Sequence, residues 1–462
     1  MLVLKFVSGS LELRLKTNCS EELQNIPALV RSGLLVWDSR ALCYRAWAFH
    51  YRSIVEHFQA QKIQFEDCAR QFRPVHLPLI KSIEPRLHQS EALSAWLGAG
   101  ARGVVVLPTG AGKTILAVLA IAKLNRPSIV HVPTLDLVEQ WKTVLHRFFG
   151  RAIGCVGGGS QTFAEITVIT YDSAARMVPF RGADFGLAIF DECHHLPSEF
   201  YKLTAQASLA PFRLGLTATP EPCGERASLS DEILGPVCYE SRISDLAGAT
   251  LAPYEVHTLA VQLNDAERQE YDSNRNEYLA FVQASRIDFR RAGGWQDFIR
   301  AAARSEKGRA AFRAYLKQKR ISMRAAAKMD TLHMLMHRHA QDQILIFTHD
   351  NWAAYQIGQA YALPVITHLT HASDRIAFLE AFRAKELGVL VTARVLNEGV
   401  DVPEANIGIV VSGTGTVREH VQRLGRILRA SAGKKARLYE IVTAETAEEH
   451  VSNRRRQHDA YQ

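Results

Sequence analysis

The sequence predicts an α/β protein of two parallel-sheet lobes, with a small α+β unit ahead of them and a helical insertion between them. Three observations predict it. Short continuous apolar runs recur at residues 103–106, 128–132, 167–170, 187–190 and 214–216, and again at 343–347 and 388–391, each ending in a polar cluster. Helix-like stretches separate these runs, and unbroken apolar strands alternating with helices indicate a parallel sheet covered on both faces. The alternation stops over residues 256–330, where helical patterning takes over. The expected domains are therefore 1–78, 79–255, 256–330 and 331–462.

Composition sets the outer bounds. A chain of 462 residues suits two to four domains at about 100–200 residues each. Hydrophobic residues make up 47% and charged residues 22%, a globular balance. The formal charge of +8 permits a polyanionic partner without requiring one. No stretch reaches the ~18 consecutive apolar residues of a membrane helix, so no membrane role is expected. The seven cysteines are scattered with no Cys-x-x-Cys pair. That spacing offers neither a zinc nor an iron–sulfur site and fits a reducing cytoplasm.

In chain order, residues 2–7 and 11–15 read as paired strands around Ser8-Gly9-Ser10, residues 37–40 as a turn, and residues 51–61 as an amphipathic helix. This unit shows no catalytic constellation and reads as a packing or substrate-contact module. Arg86-Leu87-His88-Gln89 follows. A glutamine amide can pair with the donor and acceptor of adenine, so Gln89 and Arg86 are candidate nucleotide contacts. Leu107 through Thr114 then reads strand, glycine loop and helix start: Pro108, Thr109, Gly110, Ala111, Gly112, Lys113, Thr114. Glycines let such a loop aim its N–H groups at phosphates, and the helix N-terminus adds positive potential. Lys113 would reach the β- and γ-phosphates of ATP, and the Thr114 hydroxyl would ligate Mg²⁺. Leu107 stands where the strict motif has its first glycine.

Asp191-Glu192-Cys193-His194-His195 closes another apolar run. Asp191 is the candidate holder of the nucleotide's Mg²⁺, and Glu192 the candidate base for the attacking water. His194 and His195 lack a third ligand at metal spacing. His194 is better read as a link to Thr217-Ala218-Thr219. Thr134, Thr170, Ser173 and Thr392 end strands where a nucleic-acid backbone would run, and are candidate grips on phosphate. Residues 298–330 hold ten Lys or Arg against two acids, with Phe312 and Tyr315 interleaved. Such a stretch, Arg309, Arg313 and Lys317 among it, can track phosphates while aromatics stack on bases. In residues 422–429, helical spacing puts Gln422, Arg426 and Arg429 on one face, suited to a γ-phosphate.

Taken together, Leu107 to Thr114, Glu139-Gln140-Trp141, Asp191-Glu192-Cys193-His194-His195-Leu196-Pro197, Thr217-Ala218-Thr219 and the segments Trp37-Asp38-Ser39-Arg40 and Tyr44-Arg45-Ala46 resemble the XPB family of superfamily 2 helicases. The resemblance implies two RecA-like lobes, an N-terminal damage-recognition domain and a thumb-like insertion. It also implies ATP and Mg²⁺ as cofactors, and matches Gln422, Arg426 and Arg429 to motif VI and Gly399 and Asp401 to motif V. Duplex or forked DNA is the implied partner, with 3′-to-5′ movement in DNA repair by a monomeric, cytoplasmic motor. A nuclease or repair-factor partner would make it the motor of a nuclease or defence complex. RNA remodelling and a non-catalytic ATP-binding switch are the remaining alternatives. One departure stands out: residues 221–227 lack the family's Arg-Glu-Asp element, so the resemblance implies ATPase and translocation more directly than duplex opening.

Overall fold

The computed structural model describes residues 2–15, 26–218, 231–246, 254–291, 293–393, 405–412 and 436–456. They form two compact units that divide between Arg242 and Ile243.

The first unit opens with a five-stranded sheet. Its strands are β1 (Leu2–Val7), β2 (Ser10–Leu15), β3 (Val36–Asp38), β4 (Cys43–Trp47) and β5 (Phe65–Cys68), in the order β3-β4-β2-β1-β5. The expected hairpin forms, with Leu4 opposite Leu13 and Val7 opposite Ser10. Leu2, Leu4, Leu11 and Leu13 alternate onto one face and bury against Ile54 and Phe58 of α2 (Tyr51–Ala60), beyond the short α1 (Ile26–Arg31). The turn expected at residues 37–40 begins two residues later. Trp37 pairs with Tyr44 inside the β3–β4 hairpin, and Asp38 Oδ1 accepts from the Arg40 N–H at 3.0 Å to start the reversal.

This sheet is fused to the next layer rather than tethered. Ala183 and Leu209 of the following domain complete its core. Arg213, fully buried, donates to the carbonyls of Ala205, Ser208 and Ala210 and lies 5.8 Å from the Phe49 ring. Burial pushes its guanidinium pKa down to about 9, and backbone carbonyls take the place of a counter-ion.

The second sheet of this unit carries α3 (Leu87–Gly98), β6 (Arg102–Val106), α4 (Lys113–Leu124), β7 (Ser128–Val132), α5 (Leu135–Phe149), β8 (Gly154–Gly157), β9 (Ser160–Thr162), β10 (Ile166–Thr170), α6 (Tyr171–Arg181), β11 (Leu187–Asp191), α7 (Glu199–Gln206), β12 (Phe212–Thr217) and β13 (Val237–Glu240). Strand order is β13-β6-β12-β11-β7-β10-β8-β9, parallel throughout except for the β8–β9 hairpin at the edge. The strands β7, β10 and β11 are buried at every position, as their unbroken apolar sequence requires.

The second unit opens with a single helical turn, Ile243–Leu246, and its first strand is β14 (Tyr254–Val261). Then come α8 (Asp265–Ala284), α9 (Gly294–Arg304), α10 (Glu306–Met323), α11 (Ala326–Arg338), β15 (Ile344–Thr348), α12 (Asn351–Tyr361), β16 (Val365–Ile366), α13 (Ala372–Arg383), β17 (Val389–Ala393), β18 (Ile407–Val410), β19 (Ala436–Thr443) and α14 (Ala447–Arg456). Its sheet, β14-β19-β18-β15-β17-β16, is parallel.

The limits expected for the helical insertion shift at both ends. Residues 256–261, expected inside it, pair along β19 in the sheet. At the other end, Leu332 and Leu335 of α11 join the sheet's core. Lys328, counted in the basic stretch, is 1% exposed and donates to both Glu448 oxygens at 2.8 Å and to the Val411 carbonyl. It ties α11 to α14 and takes no part in a basic surface. Phe312 and Tyr315 also turn inward, packing around Phe298 with Tyr278 and Trp295. Both are half-buried in the insertion's own aromatic cluster, and Phe312 also lines a cavity with Arg309 and Arg313.

Candidate ATP site and nucleic-acid interface

Every strand of the first lobe's sheet except the edge strand β9 points its carboxyl end the same way, and functional groups gather there. β6 runs into the loop at Leu107. The Leu107 N–H donates to the Thr217 carbonyl at 2.9 Å, continuing the ladder with β12. This position, one residue past β6, thus still keeps strand-like pairing and needs no glycine, which accounts for leucine there. Gly112 does need to be glycine. It caps α4 at φ +88°, and a Cβ on it would lie 2.2 Å from Gln89 Nε2. Lys113 and Thr114 follow in the first helical turn.

Lys113 Nζ lies 3.5 Å from Glu192 Oε1 and 3.4 Å from the Leu107 carbonyl. Both contacts are long, leaving the ammonium capacity for a further acceptor. Asp191 ends β11, 7% exposed; one oxygen accepts from the Glu192 N–H at 3.1 Å, the other from Trp141 Nε1 at 2.9 Å. Burial, then the charge of Glu192, pushes its carboxyl up to about 6. Glu192 sits at φ +48°, a conformation costing a non-glycine residue about 1–3 kcal/mol, at the turn into Cys193–His195. His194 Nδ1 lies 3.2 Å from Thr217 Oγ1 and 3.5 Å from Glu192 Oε2. His194, expected to link to the Thr217-Ala218-Thr219 segment, thus reaches Thr217.

The donor set fits a magnesium nucleotide. Gly112 leaves a cradle that a Cβ would fill, and buried Thr109 Oγ1 and Glu192 Oε2 have no hydrogen-bond partner. Among the described residues no group of three or more His, Cys, Asp or Glu could hold a metal by itself. A cation carried largely by phosphate and water needs few protein ligands, and Thr114 and Asp191 are the ones that would supply them.

Beside the loop lies a cavity of about 370 Å³ lined by Ile83, Arg86, Gln89, Gly110, Gly112, Arg147 and Phe148. The candidate adenine contacts are therefore beside the phosphate loop. The Gln89 amide is already engaged, however. Its oxygen accepts from the Arg86 N–H at 3.0 Å and its nitrogen donates to the Ala111 and Gly112 carbonyls at 3.1 and 3.3 Å. Bidentate reading of adenine requires these bonds to exchange. Phe148 and Arg147 were not foreseen, because they end an amphipathic helix and read as core and solvent face.

A second cavity, about 460 Å³, opens along the same strand ends and is lined by Pro133, Leu135, Gly157 to Gln161, Thr170, Asp172, Ser173 and Arg176. Thr170 and Ser173 both line this cavity, with Thr170 6% exposed and bonded to Ser173 Oγ at 2.9 Å. Thr134 caps α5, accepting from the Leu137 N–H at 3.4 Å. The Gly157-Gly158-Gly159-Ser160 turn was missed by sequence reasoning; three successive glycines between strands were the available signal. Thr392 corrects the reading: at 1% exposure inside β17 it offers no surface to a strand. Arg309, Arg313 and Lys317 are exposed on α10; the first two rim a cavity of about 330 Å³, and Lys317 pairs with Glu270 at 2.6 Å. Gly399, Asp401, Gln422, Arg426, Arg429 and residues 221–227 lie outside the described residues. No helix among the described residues is long and apolar enough to cross a membrane.

Comparison with known proteins agrees with this arrangement. Residues 82–222 match the family model "Type III restriction enzyme, res subunit", residues 310–462 match "ERCC3/RAD25/XPB C-terminal helicase", and residues 20–69 match the "Xeroderma pigmentosum group B helicase damage recognition domain". The chain is 38% identical to the DNA 3′-5′ translocase XPB2 of Sulfurisphaera tokodaii, over 92% of this chain and 96% of that protein. It is 30% identical to the DNA 3′-5′ helicase XPB of Mycobacterium tuberculosis, over 78% of this chain but only 61% of that protein. The Pyrococcus furiosus Hef helicase domain superposes with a TM-score of 0.54 at 18% identity, over 81% of this chain and 98% of that one, a likeness of fold. By sequence, then, the chain belongs to the XPB family of superfamily 2 helicases and translocases.

Proposed function

We propose that this chain is an ATP-dependent DNA motor that moves 3′ to 5′ on duplex or forked DNA, serving DNA repair in the cytoplasm. The observation that carries the reading is the facing of Lys113, Asp191 and Glu192 across the end of β11, beside a second strand-end cavity suited to a nucleic-acid backbone. Lys113 would bind the terminal phosphates, and Thr114 and Asp191 would hold Mg²⁺. When bound, Mg²⁺ offsets the charge that develops on the phosphate oxygens. Glu192 takes the proton of the attacking water. His194 lies between Glu192 and Thr217, so a change at the base is felt in the segment that leads on from β12.

Phosphate grips carry no base information, so binding is sequence-independent and salt-sensitive. The similarity to a named translocase and the absent Arg-Glu-Asp element favour translocation on duplex over strand separation. A nuclease or repair factor is the fitting partner, since cleavage chemistry is not seen in the chain's motifs.

Steady-state ATPase without nucleic acid, and with single-stranded DNA, duplex DNA or RNA, tests the reading, with Lys113→Ala as control. Stimulation by DNA above RNA, lost in the control, is expected. Stimulation by RNA alone overturns the DNA assignment, and turnover that persists in Lys113→Ala overturns the site.

A further inference from the structure

Asp191 receives two buried donors, and they come from two different helices. Trp141 of α5, 1% exposed, gives its indole N–H to Asp191 Oδ2 at 2.9 Å. Tyr171, the first residue of α6 and fully buried, gives its hydroxyl to the Asp191 backbone carbonyl at 2.9 Å. Both helices begin at the same place. The start of α5, Pro133 and Leu135, and the start of α6, Thr170 and Ser173, line the 460 Å³ cavity with the glycine turn. Trp141 lies six residues along α5 from Leu135, about 9 Å at 1.5 Å per residue. Tyr171 follows Thr170 directly. The starts of both helices line the cavity, with the Leu137 and Ser173 N–H groups capped by Thr134 and Thr170, and a helix N-terminus is the end that a phosphate would pull on.

We infer that Trp141 and Tyr171 are positioning residues that couple occupancy of the glycine-lined cavity by a nucleic-acid phosphate backbone to the placement of Asp191 in the ATP site. The inference rests on the motor reading above and adds the physical link between its two sites. A backbone phosphate seated at the cavity shifts the starts of α5 and α6. Because both donors are buried and packed, the shift is passed to Asp191 as a change in the angle of its carboxylate and carbonyl. The same link works in reverse, so a bound magnesium nucleotide changes the affinity for DNA by the same factor.

A second tryptophan supplies the matched control. Trp96 is as deeply buried in the same lobe and donates its indole N–H to the Arg213 carbonyl at 2.8 Å, away from Asp191. Equilibrium binding of a labelled duplex to the full chain is measured by fluorescence anisotropy, with and without Mg²⁺ and the non-hydrolysable analogue AMP-PNP. The native chain is expected to show a ratio of about 5 or more between the two affinities. Trp141→Phe and Tyr171→Phe each cut the ratio by about fivefold, the weight of one buried hydrogen bond, with duplex affinity in the absence of nucleotide unchanged. Trp96→Phe keeps the native ratio. A native ratio retained in both Trp141→Phe and Tyr171→Phe overturns the coupling, and so does an equal loss in Trp96→Phe. Should Trp141→Phe not fold, Tyr171→Phe, which removes a single hydroxyl, decides alone. If the native chain fails to bind duplex at all, the motor reading falls and the coupling with it, an outcome distinct from loss of the ratio alone.

Discussion

Two ion pairs of similar composition sit in different regions and teach opposite lessons. Lys113–Glu192, at the strand ends of the first lobe, is 3.5 Å long with side chains 11% and 14% exposed. Lys317–Glu270, on the helical insertion, is shorter, 2.6 Å, with side chains 54% and 49% exposed. The shorter pair carries less. Water and salt screen it, while the long pair holds two charges out of solvent without satisfying either. Charges held apart in a half-buried cleft are available to a ligand; charges closed on one another at the surface are mostly solubility.

The largest difference should appear on removing the two lysines. Lys113→Ala is expected to lower DNA-stimulated ATPase by about 10²–10³-fold or more. Lys317→Ala should leave turnover within about twofold and stability within about 0.5 kcal/mol. ATPase rates and thermal melts check both, and a comparable loss in Lys317→Ala breaks the comparison.

Lys328 sharpens it, because it shares the basic stretch with Lys317 yet is buried against Glu448. Lys328→Ala leaves a carboxylate unpaired inside the fold and should cost about 3–5 kcal/mol in urea unfolding. The double replacement Lys328→Met with Glu448→Leu should recover most of it. Full stability in the single variant would show that the pair is not buried in solution.

Asp191 gives a pH-dependent test. Its carboxyl is raised from 3.8 to about 6 in the folded chain. The native state therefore holds that proton more tightly than the unfolded one. The ionised form costs stability above about pH 6, and the cost fades as pH falls toward 3.8. Asp191→Asn should thus stabilise the nucleotide-free protein by about 2–3 kcal/mol at about pH 8 and very little near pH ~4, while abolishing turnover. A lower melting temperature under the alkaline condition would make Asp191 a structural residue. The smallest effect belongs to Arg309→Ala and Arg313→Ala. Each should weaken duplex binding modestly and reduce the slope of log K against log salt by about 0.9 for each phosphate no longer neutralised.

The parallel sheets and the phosphate loop were legible because each rests on local pattern. Unbroken apolar strands, glycine at Gly112 and carboxylates after a strand need little beyond their neighbours in sequence. What escaped was set by long-range packing. Lys328 looks like any lysine of a basic helix until Glu448, 120 residues away, closes on it. Phe312 and Tyr315 look like free rings on a basic helix, yet Phe298 and Tyr278 pack against them and leave them half-buried. The Thr392 hydroxyl reads as a grip, yet the β17 register with β15 puts it within the sheet. Trp141 was visible only as part of a family signature; its bond to Asp191 spans 50 residues.

The most direct test of the central claim is movement itself. A third strand bound to a duplex is displaced when a motor passes, whether or not the duplex opens. The full chain is mixed with such a triplex and ATP, alongside a forked duplex of the same sequence, and Glu192→Gln is run in parallel. The account predicts ATP-dependent triplex displacement from the 3′ side exceeding fork opening, and none by Glu192→Gln although it still binds ATP. Turnover without displacement, or displacement undiminished in Glu192→Gln, would contradict it.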